Sequence, residues 1–264
     1  GVNAGNSIAS GGNYNVVVGD EAGTAITTGD NNVGIGANSL ASNTTGTQNT
    51  AVGAFALDAN TTADNNTAIG GSALGQNTTG ANNTALGRSA LTANTTANAN
   101  SAVGKNALGA NTTGPENTAF GEQAMATNTT GGTNVAVGRE ALKANTTASN
   151  NTAVGYRSLL ANTTGTFNVA LGALALDANT TATRNTALGY SALTTNILGS
   201  RSTAVGQGAL EAQNPASAAD MYNTAVGAGA GQAVTTGVNN TLIGGLAGDA
   251  ITTGGENTTV GYAS

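Results

Sequence analysis

Small apolar and polar positions recur along this chain in a fixed order. Fifteen motifs of the type Asn-Thr-Ala-Val-Gly follow one another, and successive motif glycines are 17 residues apart in all but one case. The glycines run from Gly19 to Gly261, and the interval between Gly206 and Gly227 is longer by four residues. A short fixed period over a whole chain predicts a solenoid, in which each coil packs on its neighbours.

The second and fourth positions of each motif predict a short strand. Position two is β-branched or Ser, as at Thr50, position four is apolar, as at Val52, and Ala51 lies between them. Because side chains alternate across a strand, positions two and four share one face. We expect this face to point into the coil and the small alanine face to point outward.

The glycine that closes each motif predicts a corner, because a glycine at a fixed place in a repeat marks a point where a Cβ is unwelcome. The change Gly155→Val is therefore expected to disrupt its own coil and both neighbours. The predicted corner glycines are Gly53, Gly70, Gly87, Gly104, Gly121, Gly138, Gly155, Gly172 and Gly189.

An apolar pair follows each corner, as at Ala56 and Leu57. With the glycine it has i, i+3, i+4 spacing, which predicts a short helical turn or an irregular second strand. Each coil then closes with Asn-Thr-Thr-Gly or Asn-Thr-Thr-Ala, a turn signal whose stacked asparagines are expected to form ladders. The predicted core consists of Val52, Leu57, Ile69, Leu74, Leu86, Leu91, Val103, Leu108, Val137, Leu142, Val154 and Leu159.

Three coils near the ends and one insertion depart from this pattern. Each of the three coils has glycine in place of the leucine and an aliphatic residue three positions later. The pairs are Gly23 with Ile26, Gly231 with Val234, and Gly248 with Ile251. The insertion, about residues 211–222, contains Pro215 and Met221 and is predicted to be a loop.

Composition supports one elongated repeat domain over residues 1–264. An aromatic content of 3%, no Trp and 40 Gly cannot build a thick core. The predicted fold is all-β, a parallel β-solenoid (β-roll) of about fifteen 17-residue coils. The net charge is −6 and the seven Lys and Arg are scattered singly, which argues against nucleic acid as a partner. No apolar run reaches the roughly 18–20 residues that span a bilayer, so no membrane insertion by this segment is expected.

The side chains offer little material for chemistry. The chain has no His and no Cys, and its thirteen acidic residues do not recur at a ligand-like spacing. We therefore expect no enzymatic activity, no cofactor and no metal. Asp20, Glu21 and Asp30 are interpreted as solvated turn carboxylates rather than Ca²⁺ ligands. The glycine motifs lack the Gly-Lys-Ser/Thr of phosphate loops.

Two segments carry a resemblance to a known family. Residues 151–155 (Asn-Thr-Ala-Val-Gly) with Tyr156, and residues 185–189 (Asn-Thr-Ala-Leu-Gly) with Tyr190, resemble the strand and corner of YadA-like head repeats. These repeats occur in trimeric autotransporter adhesins, and related ones in phage-type tail fibres and bacterial surface proteins. The resemblance covers nearly the whole chain, although this coil is longer and the sequence has no stalk heptads or membrane anchor. It implies a homotrimeric β-roll with adhesive or receptor-binding surfaces.

Energetics also favour a homo-oligomer, because each coil has about two large apolar side chains to offset an ordering cost of about 1–2 kcal/mol per residue. We expect an extracellular structural or adhesive protein that forms the head or shaft of a cell-surface adhesin or virion fibre. Its expected partners are identical chains and a host-cell, matrix or glycan receptor. The candidate surface contacts are Tyr156, Arg157 and Tyr190. A filament subunit that stacks end to end, or an ice-binding solenoid, are the alternatives; an outward alanine face argues against ice.

Overall fold

The computed structural model describes residues 2–8 and 11–264. The chain divides into two compact units, residues 1–133 and 134–264. Each unit is a parallel β-solenoid with 17-residue spacing, so the predicted fold class is confirmed at this level. The described residues contain no helix. The expectation of one repeat domain over residues 1–264 stays a prediction.

Short strands, one at each motif, build both units. The described residues of the first unit form β1 (Val16–Val18), β2 (Val33–Ile35), β3 (Thr50–Val52), β4 (Thr67–Ile69), β5 (Thr84–Leu86), β6 (Ser101–Val103) and β7 (Thr118–Phe120). The second unit forms β8 (Val135–Val137), β9 (Thr152–Val154), β10 (Val169–Leu171), β11 (Thr186–Leu188), β12 (Gly199–Ser200), β13 (Thr203–Val205), β14 (Ala219–Asp220), β15 (Thr224–Val226), β16 (Thr241–Ile243) and β17 (Thr258–Val260). Within each unit, each motif position pairs with the same position of the next coil, as Thr50 does with Thr67, and β12 pairs with β14 separately.

The predicted orientation of the strands is wrong. Ala51 is fully buried, whereas Thr50 and Val52 on either side of it are only partly covered. Strand alternation explains the difference, because the buried Asn49 at position one fixes position three, and not positions two and four, on the inner face. The members of the predicted core that lie on the outer face instead are Val52, Ile69, Leu86, Val103, Val137 and Val154.

The leucines after the corner fill the interior, as predicted, but they lie in a turn and not in a helix. Phe55 and Leu57 have positive φ values of 58° and 50°, and Ala56 between them does not. This costly conformation is offset by bonds to both neighbouring coils: the Phe55 N–H donates to Ala37 O (2.9 Å) and the Leu57 N–H to Ala73 O (3.1 Å). The confirmed, fully buried leucines are Leu57, Leu74, Leu91, Leu108, Leu142 and Leu159.

The corner glycines have the restricted backbone that the sequence predicted. The nine predicted corners all have φ between +127° and +138°, a region that L side chains rarely adopt. A Cβ added to Gly155 would lie 2.6 Å from the carbonyl carbon of Gly172 in the next coil. Both the dihedral angle and the stacking distance therefore require glycine.

Two columns of asparagine run through the interior of each unit, of which the sequence predicted only the one in the Asn-Thr-Thr turns. In the first column, the backbone N–H of Asn66 donates to Asn49 Oδ1 (3.0 Å), and Asn66 Nδ2 donates to Gly80 O (2.9 Å). In the second, Asn77 Nδ2 donates to Asn60 Oδ1 and to Gly80 O, both at 2.9 Å. These bonds satisfy buried polar groups that a thin core would otherwise leave unpaired.

A single glutamine connects the two columns at the insertion in the second unit. Gln213 takes the place of an asparagine and donates through Nε2 to Asn196 Oδ1 (3.1 Å). Its Oε1 accepts from Ser202 Oγ (3.1 Å) and from Asn223 Nδ2 (2.9 Å), so the longer side chain compensates for the short serine in the first column. The insertion is not only a surface loop, because it contains β14 and the fully buried Met221.

The glycine-containing coils near the ends keep their interior filled by moving the large side chain. Gly231 has a φ of +60°, and a Cβ there would lie 2.6 Å from Leu242 Cδ1. Leu242 stands at an alanine position and fills the space that a leucine at position 231 would take. Ile26 and Val234, three residues after their glycines, are fully buried at positions where other coils have asparagine. Interior volume is thus conserved layer by layer.

Candidate interaction surfaces

The outer face of the sheet in each unit carries an apolar stripe. We define the outer stripe as the fourth-position side chains, which point away from the coil interior. Its most exposed members in the first unit are Val18, Ile35, Ile69, Leu86 and Phe120, and in the second unit Val137, Leu171, Leu188, Val226, Ile243 and Val260. Single exposed aliphatic residues are ordinary, but contiguous apolar patches mark interaction sites.

The threonine column lies on the same outer face. Thr50, Thr67 and Thr84 pair in register at position two and are partly or largely exposed. The sequence-based expectation of an inward threonine column is therefore wrong, for the same reason of strand alternation. Each unit presents one regular column of mostly threonine beside one regular column of aliphatic side chains.

Tyr156 and Arg157, two of the three predicted surface contacts, lie together on the turn after the corner. The Arg157 guanidinium carbon is 5.1 Å from the centroid of the Tyr156 ring. Arg157 Nε also donates to Glu140 Oε2 (2.7 Å), and Lys143 Nζ donates to Glu140 Oε1 (3.0 Å). The hydrogen bonds from Arg157 and then Lys143 lower the pKa of Glu140 to about 2. Arg157 thus connects two coils at the surface.

Tyr190, the third predicted contact, lines a separate groove of about 370 Å³ in the second unit. We call it the glycine groove, because Gly208, Gly229 and Gly245 are among its lining residues. Its other lining residues are Tyr190, Ser191, Gln207, Glu211, Ala228, Gln232, Leu246 and Tyr262. Sequence reasoning missed this site. The available signal was glycine just after the corners Gly206, Gly227 and Gly244, where other coils carry side chains.

Metal-site and membrane signatures were sought in the same described residues. Residues 2–8 and 11–264 contain no group of three or more His, Cys, Asp or Glu that could hold a metal ion. Within those ranges, no helix has the length and apolarity to cross a membrane. Near the N-terminus, Asp30 Oδ1 accepts the backbone N–H of Asn13 (2.6 Å), so this carboxylate caps the neighbouring coil.

Comparison with known families adds no relative. No protein-family model matches the chain, and no curated protein matches it. The resemblance to YadA-like head repeats therefore stays a prediction that rests on the motifs alone.

Proposed function

We propose that this chain is a non-enzymatic structural and adhesive repeat module that forms the rigid head or shaft of an extracellular adhesin or fibre. The outer stripe is the observation that carries the proposal. In the interior of each coil, the buried asparagines are hydrogen-bonded and the leucines are fully covered. The aliphatic side chains on the outer face have no such cover, and a second copy of the chain supplies a matching apolar surface.

The gain from covering this stripe is large enough to drive assembly. Full burial of an aliphatic side chain contributes roughly 1.5–3 kcal/mol, so covering a half-exposed one contributes about 1 kcal/mol. Each partner contributes the stripe of one unit to the interface. The summed free energy of burying these side chains is then comparable with the cost of association, about 4–15 kcal/mol. A homotrimer, with three sheets facing one another, is the arrangement that the resemblance favours.

Adhesion in this proposal comes from the turns that follow the corners. These turns lie outside the strands and carry the side chains that differ most between coils, among them Tyr156, Arg157 and Tyr190. The repeated coil supplies stiffness, and the turns supply contacts to a cell, matrix or glycan receptor. The proposed location is the cell surface or a virion fibre.

The absolute mass of the purified chain tests the assembly. We expect light scattering coupled to size exclusion to give three chains per particle. A monomer at all concentrations would contradict the role proposed for the outer stripe, and large polydisperse species would favour an end-to-end filament subunit. Beads coated with the trimer should bind cells or matrix. If the chain is a trimer but the coated beads do not bind, the adhesive function is contradicted and the role as a shaft remains.

Ice binding is a second candidate because the threonine column faces outward and not inward. Regularly spaced threonines on a flat parallel sheet can order water at the coil spacing of about 4.8 Å. This role needs the outer face free of other chains, whereas assembly covers it. Measurable thermal hysteresis at micromolar concentrations of a monomeric protein would favour ice binding, and its absence in a trimer would support the assembly proposal.

A further inference from the structure

The glycine groove lies between two exposed aromatic rings. Tyr190 and Tyr262 are 55% and 80% exposed and stand four coils apart along the turn face of the second unit. At about 4.8 Å per coil, this separation is about 19 Å. A Cβ added to Gly245 would lie 3.5 Å from Cδ2 of the Tyr262 ring, so this ring lies beside Gly245.

Two further glycines, Gly208 and Gly229, line the groove between these rings. Gly208 and Gly229 have φ values of +63° and +66°, the conformation that Arg157 and Glu140 adopt in other coils of the same unit. In those coils a long charged side chain covers the turn. At Gly208 and Gly229 the backbone is the same but the side chain is missing, and neighbouring groove residues lie close to the backbone instead: a Cβ at Gly229 would lie 2.8 Å from Leu246 Cδ2.

The polar side chains in the groove are amides and one carboxylate. Gln232 Nε2 donates to Glu211 Oε2 (2.6 Å), which holds the two side chains together. Both reach over Gly208, since a Cβ there would lie 3.2 Å from Glu211 Oε2 and 3.8 Å from Gln232 Nε2. Gln207 adds a second amide to the lining, and none of the described lining residues is Lys or Arg.

We propose that the glycine groove binds a neutral oligosaccharide; this inference rests on the adhesive function proposed above and gives it a ligand class. Aromatic faces suit the apolar C–H faces of sugar rings, while amides and a carboxylate suit hydroxyl groups, which both donate and accept. Glu211, without a cationic neighbour in the lining, disfavours sialylated or phosphorylated glycans. The distance between the two rings fits a chain of several sugars better than a monosaccharide.

A panel of sugars with saturation-transfer NMR tests the proposal on the full chain. The probes are cellotriose, maltotriose, mannotriose and chitotriose, with sialyllactose as the anionic comparison. We expect saturation transfer to at least one neutral trisaccharide and none to sialyllactose. No transfer to any neutral probe at millimolar concentration, or stronger transfer to sialyllactose, would overturn the proposal.

Variants then locate the site. Tyr190→Ala and Gln232→Ala are each expected to weaken the binding at least tenfold. Tyr14→Ala, which removes an even more exposed tyrosine from the first unit, is expected to leave it unchanged. Circular dichroism melts and light scattering verify that every variant keeps its fold and assembly. Binding that is unaffected by both groove variants would contradict the assignment. If no sugar binds although light scattering shows a trimer, the oligosaccharide proposal is contradicted and the proposed structural function is not.

Discussion

At the corner of each coil, glycine is required by the backbone and by the neighbouring coil together. Gly155 has a φ of +130°, and its missing Cβ would lie 2.6 Å and 2.7 Å from the carbonyl carbon and oxygen of Gly172. Neither atom belongs to a flexible side chain that could move away. The tight stacking of corners therefore depends on a residue type that the sequence repeats at every coil.

We expect Gly155→Val to lower the free energy of unfolding by about 3 kcal/mol or more, because backbone strain and a clash with backbone combine. Chemical denaturation of the purified variant measures it. Gly71→Val is the matched control, since a Cβ at Gly71 would meet only Ala54 O, at 3.9 Å. Equal stability of the two variants would refute the corner geometry.

The asparagine columns are a second feature that acts residue by residue. Asn77 donates to Asn60 and Gly80 and accepts from Asn94 Nδ2 (2.8 Å), all in the buried interior. We expect Asn77→Ala to destabilise the fold by about 3 kcal/mol, because it leaves several buried partners unsatisfied. Thr79→Ala, at an exposed position of the same turn, should cost less than about 0.5 kcal/mol. Similar melting temperatures for both variants would contradict the role of the ladder.

At the scale of the element, each strand has one face with small side chains, which points inward, and one face with larger side chains, which points outward. Ala153 and Leu159 are both fully buried, while Val154 lies partly exposed on the outer face. We expect Ala153→Leu to cost about 1–3 kcal/mol by overpacking, and Val154→Leu to be nearly neutral. Denaturation of the two variants distinguishes the faces, and the reverse order would restore the orientation that the sequence pattern suggested.

In the glycine-containing coils, a larger residue in the strand compensates for a smaller residue in the turn. Leu242 stands at an alanine position and occupies the space beside Gly231 and Gly248, each of which lacks the usual leucine. The double variant Ala153→Leu with Leu159→Gly copies that arrangement. A double-mutant cycle should show a favourable coupling, with the double variant more stable than the sum of the single changes predicts. Strict additivity would contradict the volume-exchange interpretation.

The ion cluster on the turns of the second unit makes stability depend on pH. Since the pKa of Glu140 is lowered from 4.5 to about 2, its ionised form stabilises the folded state above pH 4.5. This contribution falls as the pH drops from 4.5 towards 2. The melting temperature of the wild-type protein should therefore be higher than that of Glu140→Gln at pH 7, and the two temperatures should be nearly equal at pH 2. Glu256 is exposed, so the Glu256→Gln variant controls for the loss of one charge. A difference in melting temperature between wild type and Glu140→Gln that persists at pH 2 would contradict the assignment.

At the scale of the whole molecule, the proposed assembly through the outer stripe can be tested separately from folding. If the chain forms the proposed trimer, we expect Leu188→Asp to dissociate it into folded monomers, because Leu188 is 40% exposed on the outer face and contributes little to the interior. Light scattering measures the mass and circular dichroism the fold. Thr181→Asp, exposed on the Asn-Thr-Thr turn, should remain trimeric. A Leu188→Asp variant that stays trimeric would place the interface elsewhere.

The candidate surfaces were predictable only in part. Tyr156, Arg157 and Tyr190 were identifiable because they vary within an otherwise regular repeat. The glycine groove was not, because its lining combines residues as far apart in the sequence as Tyr190 and Tyr262. The link from Arg157 to Glu140 also joins residues 17 positions apart and becomes visible only when coils stack.

The sequence by itself determined the 17-residue coil, the parallel register, the corner glycines, the buried leucines and the asparagine ladder of the Asn-Thr-Thr turns. Each of these follows from a residue type repeated at one position, and stacking turns such a repeat into a column. Only the tertiary structure decided which strand face points inward. Apolarity favoured Val52, yet the buried amide of Asn49 and the volume of Leu57 leave room inside for Ala51 alone. The space available in the closed coil, and not the hydrophobicity of a single position, therefore set the outer surface.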